Sequence, residues 1–373
     1  MIRLLLLGAG HVNLEVLRRT ILERPPELAV TIVSLGARHF YSGMTPGFLA
    51  GQYGLDDLTS DVPAIARRAG AVCILGEVTG LDPAARRARL ADGRELEYDL
   101  VSLNLGSLLA GADSEAARDA EIIKPIERAA RVKERIEALA AVGGGAPARV
   151  VVVGAGASGV EVACAARSAL GRGGRPAEVR IVDGGERILR GYSDRFQRRA
   201  EEALAELGIA VGLGRRVERV APTAVRLAGG EELPSDLTIW LTGPEAPPLL
   251  AASGLPTDGR GFLLIDDRLR SVADPRVFAV GDCGTLEPYP ETPKAGVYAV
   301  REAPILWHNL LASVRGEELT RYTPQSGFLS ILNTCDGRAL LRWKAILSWS
   351  RWAWWLKDRI DRRFMGRYRR LTE

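Results

Sequence analysis

Residues 149–166 read RVVVVGAGASGVEVACAA. Val150–Val153 are β-branched and apolar, a composition that suits a buried strand. Gly154, Gly156 and Gly159 follow as a complete GxGxxG. Each glycine answers a separate need: the first makes the tight turn, the second lets the backbone reach a pyrophosphate, and the third lets helix and strand pack closely. The helix that opens there, with Ser158 in its first turn, presents free N–H groups to the anion. Downstream, AEVRIVDGGERIL (177–189) supplies the next strand, with Asp183 at its end. A carboxylate there holds a ribose 2′-hydroxyl and repels a 2′-phosphate, which favours NADH over NADPH. Arg187 and Arg190 are close enough in sequence to weaken that preference. The bland alternative is a glycine turn that only packs.

The chain opens on a second, less regular copy, RLLLLGAGHVNLEVLRR (3–19). Gly8 and Gly10 are present, His11 follows, and Asn13 stands where the third glycine should be. The next strand, AVTIVSLG (29–36), ends in Ser34, a weaker ribose acceptor than a carboxylate. A third segment, DPRVFAVGDCG (274–284), runs a strand into Gly281 and Asp282. An aspartate there can accept from the ribityl hydroxyls of a flavin while nearby N–H groups face its pyrophosphate; otherwise it caps the following segment. Two connectors, YDLVSLNLGS (98–107) and SDLTIWLTGPEAPPLL (235–250), carry Gly106 and Gly243 at matching places.

Composition leaves room for this. A chain of 373 residues builds two or three domains with real cores. A net charge of +4 does not by itself imply a nucleic-acid partner. Cys73, Cys164, Cys283 and Cys335 are far apart and lack metal-ligand spacing, so neither a zinc site nor a disulfide framework is expected, and the usage suits a reducing compartment. The apolar run Leu4–Leu7 is too short for a signal peptide, and no uncharged stretch reaches the ~18 residues of a membrane span.

The order of the two turns and the Gly-Asp segment resembles flavoproteins with two dinucleotide-binding domains, the pyridine nucleotide–disulfide oxidoreductase superfamily. That resemblance implies an α/β fold in which an NAD domain is inserted into a split FAD domain. FAD would lie on Gly8, Gly10, His11, Ser34, Gly106, Gly281, Asp282 and Ala295. NADH would lie on Gly154, Gly156, Ser158, Gly159, Asp183 and Gly243. Disulfide reductases of this fold need two cysteines beside the flavin, and the first domain has only Cys73. Sulfide:quinone oxidoreductases also pair cysteines, but Cys164 lies a turn inside the second helix, away from that family's position.

GAGASGVEVA is similar to the NAD motif of type II NADH:quinone dehydrogenases, and IIKPIERAARVKERI (122–136) resembles the segment leading into their NAD domain. This resemblance implies hydride transfer from NADH to FAD and electron transfer on to a quinone, with Glu161 approaching the nicotinamide and flavin. A helix-face carboxylate paired with an arginine is the alternative for Glu161. One departure concerns the quinone: that family's AQxxxQ element is replaced by TPKAGVYAVREAP (292–304), with Gly296 and Val300 at the glutamine positions. Lys294 adds a cation there, which would stabilise reduced flavin or else be a solvated loop lysine. HFYSGMTPGFLAGQY (39–53) and WLKDRIDRRFM (355–365) look like a bacterial group of FAD/NAD(P) oxidoreductases, some fused to selenide, water dikinase. His39 reads as a polar loop residue, with an acid–base role the lesser alternative.

Residues 340–371 hold five of the seven tryptophans and ten Arg or Lys against two Asp. Trp349, Trp352, Leu356, Ile360 and Phe364 recur at helical spacing as one apolar stripe, flanked by basic residues. Trp and cations together suit a bilayer interface; a tail docked on the FAD domain is the alternative. The interspersed arginines exclude a spanning helix, and a one-sided aromatic stripe argues against nucleic acid.

The expectation is therefore an FAD domain at 1–112 and 250–325, an NAD(P) domain at 113–249, and a helical basic aromatic tail at 326–373. Glu161 and Lys294 are the catalytic candidates and no metal is expected. The partners would be a quinone and the inner face of the cell membrane, with the protein otherwise cytoplasmic and a homodimer left open. The rival functions are a soluble NAD(P)H flavin oxidoreductase with a protein or small selenium or sulfur acceptor, and a non-enzymatic redox sensor.

Overall fold

The structure, a computed structural model, describes residues 1–142 and 145–372. The leucine run of the first turn becomes the strand Ile2–Leu7, central in a five-stranded parallel sheet. Leu28–Ser34 and then Val72–Leu75 lie to one side, and Leu100–Leu103 and then Val277–Ala279 to the other. Leu4–Leu7 are almost wholly buried, sharing one core with helix residues such as Val16 and Leu306 and with Leu81, Ala88 and Leu90 further along the chain. The helix His11–Glu23 makes the crossover to the second strand and packs on the long helix Gly296–Arg315.

The same plan is repeated. Ala148–Val153 is central in a second parallel sheet, with Ala177–Val182 and Ile209–Gly212 on one side and Leu237–Trp240 and Glu121–Ile122 on the other. The helix Ala157–Arg172 makes its crossover. Each copy returns to its sheet through a three-stranded antiparallel meander, within residues 78–97 in the first and 217–234 in the second. The first sheet takes its final strand from residues beyond the second sheet, so the second Rossmann-like unit is an insertion in the first. Entry and exit run side by side: Leu108–Leu109 pairs with Pro244–Glu245, and the Ala110 N–H donates to the Gly243 carbonyl at 2.9 Å.

The tail departs from the expectation. The helical stripe expected from Trp349 starts only after a sheet: Ser330–Asn333, Ala339–Trp343 and Ile346–Ser350 form an antiparallel sheet. Only Arg351–Arg369 is helical, with the Ser350 hydroxyl capping the Ala353 N–H. Trp349 therefore sits on a strand, buried, its indole N–H donating to the Thr334 hydroxyl at 3.1 Å. Period-2 alternation in LLRWKAILSWS was masked by the density of tryptophan. One face of this sheet sends Leu332, Leu340 and Trp349 into the body; the other meets Ala353, Trp354 and Leu356 of the helix.

The helix docks by a different face from the expected stripe. Ala353, Lys357, Asp361, Met365 and Tyr368 are buried, while Trp352 and Ile360 are exposed and Leu356 and Phe364 half-buried. The docking face contains a buried ion pair, so a scan for apolar periodicity misses it. No helix of the described residues is long and apolar enough to cross a membrane.

Candidate active site

The two turns solve one geometric problem in two ways. At Gly159 a Cβ would lie 1.9 Å from the Gly154 carbonyl oxygen, so the third glycine is required for packing. At the equivalent position Asn13 is fully buried and spends its polar atoms on the turn itself. Its amide donates to the Gly8 carbonyl at 2.8 Å and more weakly to those of Leu7 and Ser102, and it accepts from the Ser102 hydroxyl at 2.8 Å. Asn13 therefore ties helix to strand, where glycine would only permit contact. Asn104, which sequence reading left unassigned, closes the same turn. Its Oδ1 accepts from the N–H groups of Val12 and Asn13, and its Nδ2 donates to the Val280 carbonyl. A Cβ at Gly10 would strike that Asn104 oxygen at 2.3 Å. Gly8 has φ +88° and Gly154 φ +118°, a conformation that favours glycine.

The acceptors at the strand ends also differ. Asp183 accepts from the Ala155 N–H at 2.8 Å and the Gly185 N–H at 2.6 Å, and Arg190 lies 3.5 Å from it. Arg187 turns instead to Asp194. The Ser34 hydroxyl donates to the Gly36 carbonyl at 2.6 Å, leaving its lone pairs to accept. Gly156 and Ser158 are exposed at the helix start, open to an incoming phosphate.

Around the Gly-Asp segment, Asp282 is held by the first connector and by the segment 122–136. The Ser107 hydroxyl, one residue after Gly106, donates to Asp282 Oδ2 at 2.8 Å, and Lys124 Nζ donates to Ser107 at 2.8 Å. One carboxylate oxygen of Asp282 is left for a ribityl hydroxyl. The Gly281 N–H, expected to face a pyrophosphate, is instead taken by buried Glu302 at 2.6 Å. Burial pushes that carboxyl up to about 7. Ala295 caps the helix Gly296–Arg315 with extended backbone. Lys294 is no solvated loop lysine: its ammonium binds the Gly284 carbonyl and the Thr285 hydroxyl and lies 4.3 Å from the Phe262 ring centre. Burial lowers its pKa.

His39 is likewise not a loop residue. It lies on the short strand Arg38–Phe40, buried, with Nε2 3.0 Å from Nδ1 of His11. Burial keeps both rings neutral, bringing His11 down to about 4 and His39 lower than usual. His11 meets Tyr41 and Phe364 edge-on, so the tail helix roofs the start of the first turn.

Glu161 lies where the helix of the second turn meets the tail. Its Oε1 accepts from the Asn333 N–H at 2.7 Å, and the Asn333 side chain donates to Gln52. Burial pushes its carboxyl up to about 7, against the pull of nearby Lys357 and the Asn333 hydrogen bond. Lys357 Nζ lies 3.0 Å from Asp361 and donates to the Gly43 carbonyl at 2.9 Å; the Tyr41 hydroxyl donates to Asp361 at 3.1 Å. No arginine pairs with Glu161 among the described residues; its hydrogen-bond partner is the Asn333 N–H, and Lys357 acts on it only as a nearby charge. The i,i+4 spacing of Lys357 and Asp361 was visible in sequence, but among so many surface-like charges it carried no sign of burial. Cys164 and Cys335 are both buried and free, their thiols pushed up by burial.

The first turn, with its glycine approach, the half-free Asp282 and the capped helix Gly296–Arg315, fits a flavin dinucleotide. The Thr45 hydroxyl, on the helix Thr45–Leu49, is buried without a protein partner among the described residues. The second turn fits a nicotinamide dinucleotide.

Comparison with known proteins agrees. Residues 3–304 match the family described as pyridine nucleotide-disulphide oxidoreductase. An NADH dehydrogenase-like protein of Mycobacterium tuberculosis is 32% identical over 57% of this chain, and the chain spans about half that relative's length (55%). Demethylphylloquinone reductase NdbB of Synechocystis is 28% identical over 57% of this chain and 54% of its own. Among solved structures, the sulfide:quinone oxidoreductase of Aquifex aeolicus superposes with a TM-score of 0.85 at 17% identity, over 100% of this chain and 92% of that one. NDH2 of Plasmodium falciparum superposes with a TM-score of 0.81 at 14% identity, over 100% and 97%. At such identities these two speak for the fold.

Proposed function

We propose a quinone as the electron acceptor of this chain, which belongs to the pyridine nucleotide–disulphide oxidoreductase family and is a flavoprotein oxidoreductase with FAD and NADH as its cofactors. The observation that carries the proposal is the buried Glu161–Lys357–Asp361–Tyr41 cluster, because it joins the nicotinamide-side helix to the tail. A quinone takes up two protons with its two electrons. A carboxyl that titrates near neutrality and is sheltered from water is suited to hold one of them. The quinone-reducing name of the Synechocystis relative supports the same acceptor.

When bound, FAD would supply the hydride-accepting, two-electron chemistry of the reaction. The protein's own part is to bind, orient and hold protons. Gly8, Gly10 and His11 seat the FAD pyrophosphate on the N-terminus of the helix His11–Glu23, and Asp282 takes a ribityl hydroxyl. Gly154, Gly156, Ser158 and Gly159 seat NADH, and Asp183 takes its ribose. Glu161 holds a proton below about pH 7 and releases it above. Lys357 and Asp361 set that balance, and Lys294 braces the Gly284–Thr285 segment beneath the Gly-Asp turn. Positioning the two rings against each other supplies most of the rate.

A bilayer surface is proposed as the place where quinone is met. Trp352, Trp355 and Ile360 are exposed on the tail helix, at 49%, 60% and 41%, with Arg359 and Arg363 among them. An apolar face flanked by cations is the pattern of a helix lying in the interface.

Anaerobic stopped-flow absorbance tests the acceptor. NADH should bleach the flavin and a soluble quinone should restore it quickly, with restoration slowed in Glu161→Gln and flattened across pH 7. Bleaching by NADH without restoration by quinone would overturn the acceptor while leaving both cofactors in place.

A further inference from the structure

A second concavity lies away from both glycine turns. An open pocket of about 440 Å³ is bounded by the start of the helix Asp194–Glu206, by residues 326–328 and by the hairpin tip 342–347. Its walls carry Arg195, Arg342 and Lys344, together with Phe328, Trp343 and Ile346. No carboxylate lines it. Asp194, the nearest acid along the chain, is already paired with Arg187 at 2.5 Å. None of these three cations has a carboxylate within ion-pair distance among the described residues. Arg342 is held over the rings of Tyr192 and Phe328, at 5.2 and 5.6 Å, with its N–H groups unspent. The helix Asp194–Glu206 turns its N-terminal end toward the same space, adding partial positive charge.

The apolar side of the pocket is equally specific. Trp343 and Ile346 face each other across a two-residue hairpin tip and are 39% and 53% exposed. Lys344, at the tip, adopts φ +50°. Apolar side chains with open solvent beside them adjoin three unpaired cations, so the matching ligand has an anionic head and a hydrocarbon body.

We propose that this pocket binds the phosphate of an anionic phospholipid, with its acyl chain lying along Trp343 and Ile346. The proposal rests on the membrane reading above and adds to it a lipid class and a location. It makes docking selective for anionic bilayers, where each basic residue near the surface contributes about 1 kcal/mol.

Vesicle flotation of the FAD-loaded protein tests it, using phosphatidylcholine vesicles with and without phosphatidylglycerol. The wild type should favour the anionic vesicles. Replacing Arg195, Arg342 and Lys344 by Gln should remove that preference, at about fivefold per cation. Arg359→Gln with Arg363→Gln should weaken it by no more than the general effect of about fivefold per surface cation and leave a clear preference, and an unchanged rate of flavin bleaching by NADH should report that each variant is folded. Equal binding to both vesicle types would overturn the lipid pocket and leave the membrane reading standing; binding to neither would overturn both. Preference retained in the triple variant would overturn the pocket, and so would displacement by millimolar inorganic phosphate, which would mark a free-phosphate site.

Discussion

Lys357→Met would break the only cation contact of Asp361 among the described residues and remove the cation near Glu161 in one step. The ion pair is 3.0 Å long, and its side chains are 9% and 5% exposed. At an effective dielectric constant of about 20, charges at that separation attract by about 5 kcal/mol. Desolvation of both groups offsets much of this, so the pair itself contributes little net stability. Removing one partner is a different matter, because the other is left charged and buried, at a cost of about 3–5 kcal/mol. The variant can escape by protonating Asp361, which costs about 1.4 kcal/mol for each pH unit above its ordinary value near 3.9. The penalty should therefore be about 1.5 kcal/mol at pH 5 and about 3–5 kcal/mol at pH 8. Burial already raises both the Asp361 and Glu161 carboxyls, and losing the cation moves them further up. Such groups favour the folded state below their unfolded pKa, and that contribution is lost as pH rises through the folded value. Urea unfolding at the two pH values reads the difference, with an unchanged m-value as the check on cooperativity. Lys357→Met with Asp361→Leu should recover most of the loss. A penalty equal at both pH values, or below about 1 kcal/mol at pH 8, would refute the buried-pair reasoning.

Other substitutions separate packing from binding. Gly159→Ala should destabilise by about 3 kcal/mol or more, since its Cβ meets backbone at 1.9 Å, whereas Gly156→Ala meets nothing within 4 Å and should fold normally while NADH affinity falls; thermal unfolding and nucleotide titration distinguish them. Asn13→Gly, which restores the usual motif, should cost about 2–4 kcal/mol in urea unfolding through its lost hydrogen bonds and the cavity left behind; a neutral outcome would sink the account of Asn13 as a tie. Lys124→Met should raise the FAD dissociation constant about threefold to tenfold, the modest value reflecting a partly solvated lysine, with flavin fluorescence as the readout.

The repeated Rossmann-like plan could be read from the chain because its signals are local: an apolar strand, a glycine turn and a helix start within one quoted stretch. The order of those stretches also foretold the insertion. Of the candidate site, the glycine turns and the acids Asp183, Asp282 and Glu161 could be named from the sequence. Their side-chain partners come from positions distant in sequence, as with Asn104 under Gly10 or Lys124 beside Asp282. His39 was misread because a lone polar residue near a turn resembles a loop residue until its partner, His11, is brought to 3.0 Å. The start of the tail, up to Trp349, was misread because tryptophan suits both a strand and an amphipathic helix, and the docking side of its helix because that face is polar.

The insertion has a consequence for synthesis. Ile2–Leu7 leaves the ribosome first, yet its sheet gains its outermost strand only at Val277–Ala279, about 270 residues later. At about 5–20 residues per second this is a wait of roughly 15–55 s. The inserted sheet, spanning residues 121–240, is complete well before then. The nascent chain therefore carries a finished nicotinamide module while the flavin half is still open, and a chain released after residue 250 would keep the former and never assemble the latter.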